Sequence, residues 1–161
     1  MCVVVERTSD QRIEIGVSGF AVLAFLGGGH TARKGTYRRN VLRGVEALMK
    51  KQRGDGMLDH NVYNHSIATI ALCEAYGRAR DERVGSAARK SVKYLESAQN
   101  RDGGWRYTRN SGTSDMSVSG WCIQALKTAK LAQIAVDNSV YARGVLYVDA
   151  LTDKGGGKGT S

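Results

Sequence analysis

The chain is predicted to be all-α, built as three helical hairpins, and three observations predict it. Its 161 residues include 20 glycines and no proline, against average usage of roughly 7% and 5%; helices ended by glycine suit that balance better than strands. Apolar residues recur at helical spacing. Between 37 and 52, Val41, Leu42, Val45, Leu48, Met49 and Gln52 fall on one stripe while Arg39, Arg43 and Lys50 lie on the other side. The sequence also repeats. A shift of 47 residues places Val45, Leu48, Gln52, Asp55 and Gly56 on Val92, Leu95, Gln99, Asp102 and Gly103, and "GFAVLAFL" (19–26) on "SIATIALC" (66–73). A third copy follows at a slightly longer offset, where "VSGW" (118–121) echoes "VSGF" (17–20) and Arg143-Gly144-Val145 echoes Arg43-Gly44-Val45.

Each unit resolves into two helical patterns. The first helix, over 16–27, is small and apolar nearly all round, as a helix reads when neighbours surround it. The second, over 37–52, is amphipathic and stops at a Gln-Arg-Gly-Asp-Gly turn. The third, over 63–77, is again apolar all round, and the fourth, over 83–99, ends at "QNRDGGW", where Gly103 and Gly104 permit a sharp stop. Asp115 precedes the fifth, over 115–132, as an N-terminal carboxylate favoured by the cap and the macrodipole. The sixth covers 138–151. The repeat units are thus about 16–57, 63–105 and 115–154, within a single domain over 1–154 and ahead of a tail over 155–161. A chain of this length buries roughly two thirds of its unfolded surface in one core.

Composition limits the function classes. No apolar run approaches the ~20 residues needed to span a bilayer, and "MCVVVERTSD" lacks the basic start and long apolar stretch of a signal peptide. Cys2, Cys73 and Cys122 are an odd number at unpatterned spacings, which argues against a disulfide framework and makes a reducing, cytoplasmic compartment the default. The net charge of +9 favours anionic partners in principle. Arg33, Lys34, Arg38, Arg39, Arg43, Lys50, Lys51 and Arg53 concentrate it around the second helix. No nucleic-acid-binding motif accompanies them, so a solvated basic face is preferred to a polyanion site.

The run "AARKSVKYLESAQNRDGGW" resembles the QW repeat of the squalene and terpenoid cyclase family, whose α/α-toroid fold is shared with protein prenyltransferase β subunits. The likeness is strongest over 87–105, imperfect over 40–57, where Met57-Leu58 stands in place of glycine and tryptophan, and weak over 139–157. It implies an incomplete toroid. Gln52, Asp55, Gly56, Gln99, Asp102, Gly103, Gly104 and Trp105 would be structural repeat residues, the glutamine amide tying one hairpin's turn to a neighbouring helix and Trp105 clamping hairpins together. In such a ring, Tyr63, His65, Asp115 and Trp121 are the residues expected to line a cavity or groove.

The family's chemistry is not carried over. A cyclase's Asp-x-Asp-Asp acid is missing, and Asp55 and Asp102 read as turn carboxylates. The prenyltransferase zinc set would need a thiolate where Ser117 stands two residues after Asp115. Cys122 cannot substitute, because seven residues of helix separate it from Asp115 by ~10.5 Å. His65 reads as a cap or hydrogen-bonding residue, and His30 and His60 lie in expected loops. Neither a metal nor a cofactor is expected. Nor is there a Gly-x-Ser-x-Gly elbow, and "GGGKGTS" lacks the P-loop spacing. The expected function is a non-catalytic repeat module that presents a helical surface or groove to a protein or apolar ligand. The alternative is part of an isoprenoid cyclase or prenyltransferase whose catalytic residues lie outside this chain. Apolar helices at both ends of the array imply self-association, or covering by sequence from a longer parent.

Overall fold

The computed structural model describes residues 11–155. Six helices follow one another in it: α1 (Gln11–Gly27), α2 (Arg38–Lys51), α3 (Val62–Ala79), α4 (Glu82–Ser97), α5 (Met116–Leu131) and α6 (Asn138–Gly155). The fold is all-α, with no strand among the described residues. Two boundaries differ from the sequence expectation by more than two residues. Helix α1 begins five residues earlier, its inward stripe reaching back to the buried Ile15, and α6 runs on to Gly155. Cys2, the opening apolar run and, apart from Gly155, the tail over 155–161 lie outside the described residues.

The helices occupy two rows. α1 packs on α3 and α3 on α5, forming an inner row, while α2, α4 and α6 each pack on the inner helix of their own hairpin. Burial explains who goes where. In α3 every residue from Ser66 to Cys73 is buried, so the helix has neighbours on all sides. In α2 only Val41, Val45 and Leu48 are buried, one stripe at i, i+4 and i+7 facing the inner row. Three of the connections end in a residue whose side chain caps the next helix. Asn61 accepts from the Tyr63 N–H at 3.0 Å, Asp81 from Arg83 at 2.9 Å and Asp115 from Val118 at 3.0 Å, each satisfying an N–H that has no partner within its helix.

Candidate functional site

The repeated glutamine turns have the same bonds in both places. Arg53 N–H donates to Met57 O at 2.8 Å and Asn100 N–H to Gly104 O at 2.9 Å. Asp55 and Asp102 turn back to accept from the amides of Met57 and Gly104, at 3.1 and 3.2 Å. Gly56 and Gly103 share a φ of 91°, a left-handed backbone that favours glycine. Space also requires glycine: a Cβ on Gly103 would stand 2.7 Å from Arg143 O. From this platform the glutamines reach outward. Gln52 Nε2 donates to Gly56 O at 3.2 Å and to Ala87 O of α4 at 2.9 Å. Gln99 Nε2 donates to Gly103 O at 2.7 Å and to Val140 O of α6 at 2.8 Å, while its Oε1 accepts from Arg143. Each amide therefore binds its own turn to the outer helix of the next hairpin.

Trp105 is fully buried. Its indole N–H donates to Leu95 O at 2.9 Å, and the six-membered ring lies where Gly144 of α6 leaves room, a Cβ there standing 2.8 Å from the ring. Its backbone N–H donates to Ser119 Oγ at 2.9 Å. The matching position in the first turn is Leu58, whose N–H donates to His65 Nδ1 at 3.1 Å. Because Nδ1 accepts, the imidazole hydrogen is on Nε2, which donates to Ser91 O of α4 at 3.0 Å. Burial, partly offset by the Ser91 bond, lowers the His65 pKa to about 4. His65 is thus a hydrogen-bonding residue of a buried junction, and the groove-lining place that the resemblance implied is corrected: its ring is engaged at both nitrogens and packs on Tyr94 at 4.7 Å.

Tyr63 and Trp121 do come together. Their rings meet edge to face at 5.8 Å, and Phe20 meets Trp121 the same way at 5.5 Å, so the cluster draws on α1, α3 and α5. Phe20 was missed in sequence, although it holds in "VSGF" the place that Trp121 holds in "VSGW". Beside the cluster an open groove is lined by Met116, Ser117, Gly120, Trp121 and Gln124. Val17 and Met116 are 58% and 50% exposed near the two ends of this row. Asp115 caps α5 rather than projecting into the groove; the Ser117 hydroxyl and the Val118 amide hold its carboxyl below the ordinary range.

Among the described residues no three His, Cys, Asp or Glu side chains converge as metal ligands. Cys73 and Cys122 are buried thiols, the first pushed up to about 12 and the second raised well above its usual value by desolvation, which removes their nucleophilic form at neutral pH. The eight cations from Arg33 to Arg53 are all exposed. No helix among the described residues is long and apolar enough to cross a membrane. No protein-family model matches this chain, and no curated protein matches it.

Proposed function

We propose that the chain is a non-catalytic helical-repeat binding module of the α/α-toroid type, and that its α5 groove receives an apolar helix of a protein partner. One observation carries this reading. The repeat places Ser117, Gly120 and Gln124 of α5 where α1 has Gly16, Gly19 and Leu23, 101 residues earlier. In α1 that face receives α3: a Cβ on Gly19 would lie 3.2 Å from the Ala68 Cα, so the backbones are close. At Gly120 nothing stands within 4 Å. The groove is therefore a slot with the small-residue register of an inner-helix contact and, among the described residues, no helix in it. The toroid kinship rests on the paired glutamine turns, which join successive outer helices as a ring of hairpins would require.

A hydrocarbon-stapled peptide of residues 62–79 is a suitable probe, because α3 is the helix that the matching face of α1 accepts. Titrated into the protein, it should change the emission of the half-buried Trp121 saturably, over a constant background from the buried Trp105. Gly120→Arg should abolish the change. A wild-type protein that shows no saturable response would remove the support for a helix-receiving groove.

A further inference from the structure

We infer that the helix received by the α5 groove is α1 of a second copy of this chain, joined head to tail. This rests on the helix-receiving reading of α5 given above and supplies its occupant. Every contact in the inner row has two sides. On α1 the receiving side is Gly16, Gly19 and Leu23; on α3 the inserted side is Asn64, Ile67, Ala68 and Ala71. The α3–α5 contact repeats the pattern, with Val118, Cys122 and Ala125 of α5 standing where Asn64, Ala68 and Ala71 stand in α3; all three are buried.

The same arithmetic assigns an inserted side to α1. Forty-seven residues before Asn64, Ile67, Ala68 and Ala71 come Val17, Phe20, Ala21 and Ala24. All four are exposed, Val17 at 58% and Phe20 at 43%. Among the described residues the unit thus displays at one end an inserted face that no helix covers, Phe20 alone reaching the edge of Trp121, and at the other an open receiving face, and each is the counterpart of a contact already made twice inside the chain. Small residues occur on both faces, Ala21 and Ala24 opposite Gly120, so the backbones can approach as α1 and α3 do.

Electrostatics does not oppose the pairing. From Ile15 to Gly27 α1 has no charged residue, so two copies carrying +9 each can meet through it without placing like charges in contact. The receiving face is more polar than its counterpart in α1 at two places, with Gln124 for Leu23 and Lys127 for Leu26. Both have aliphatic stems that cover apolar surface while the polar end reaches water. An α1-to-α1 contact would lack the receiving side altogether, since on α1 that side is already filled by α3.

A head-to-tail contact makes a prediction that a symmetric one does not. Light scattering coupled to size exclusion should give the wild-type chain a mass of at least twice its 17.4 kDa, rising to that value with concentration. Ala21→Arg blocks only the inserted face and Gly120→Arg only the receiving face; both positions are exposed, and circular dichroism checks that each variant is folded. Each variant alone should be a 17.4 kDa monomer. Mixed one to one, they should form a dimer, because each retains the face the other has lost. A monomeric wild type, variants that still associate alone, or a mixture that stays monomeric would overturn the inference. A monomeric wild type that nevertheless binds the stapled peptide would overturn only the choice of occupant, whereas failure of both experiments would also remove the helix-receiving groove.

Discussion

His65 and Trp105 solve the same problem at consecutive junctions with opposite choices of size. Leu58 is modest and its amide is capped by the large His65 ring; Trp105 is large and its amide is capped by the small Ser119 hydroxyl. One heteroaromatic ring fills each junction, and in each its N–H finds a backbone carbonyl, Ser91 O or Leu95 O. The absence of tryptophan from the first turn is thus compensated by a histidine seven residues later, and that substitution brings a titration with it. With the folded pKa lowered to about 4 and the unfolded value near 6.5, the unfolded chain binds more protons between those limits. This contribution to stability is therefore whole above about pH 6.5 and is lost as pH falls towards 4, at up to roughly 1.4 kcal/mol per pH unit. Urea unfolding at successive pH values should show the decline. A ring titration by NMR with its midpoint near that of a free histidine would contradict it.

At the level of elements, the glutamine turns hold neighbouring hairpins in register. Replacing Gln99 by alanine removes two amide bonds, to Gly103 O and Val140 O, and the acceptor of Arg143. Loss of one such partly buried group costs about 1–3 kcal/mol, so Gln99→Ala should lower the urea midpoint measurably with an unchanged slope. An unaltered midpoint would show that water replaces the amide without loss. These turns were legible in the sequence because their determinants lie within five residues of one another: a glutamine, an aspartate that folds back on its own loop, and a glycine at positive φ. The helices were legible for a similar reason, since an inner helix is apolar all round and an outer one has a single stripe. The burial of His65 was not, although a hydrogen-bonding role was, because its partners Ser91 and Tyr94 come from a helix further along the chain. Phe20 escaped likewise: it, Tyr63 and Trp121 come from three helices, and only tertiary packing brings them to one surface.

For the molecule as a whole, the two-row arrangement implies unequal stability along the chain. In an array whose units contact only their neighbours, each element is held by its own interfaces, and those with fewest open first. Helix α3 packs on α1, α2, α4 and α5 and is the centre of the array. Helix α6 packs chiefly on α5. Beyond that contact it is tied by Gln99 to Val140 and Arg143, and by Glu96 Oε1, which accepts from the Asp137 N–H at 2.7 Å just before the helix. Leu146 on its outer face remains largely exposed. Head-to-tail association would cover α1 and α5 and leave this outer helix as it is. Native-state hydrogen exchange should therefore find the α6 amides opening well below the free energy of global unfolding, while the α3 amides exchange only when the whole chain unfolds. Gln99→Ala should speed exchange in α6 and leave α3 slower than it. Equal opening free energies for α3 and α6 would mean that the hairpins unfold as one cooperative unit, and that the array is not held together neighbour by neighbour.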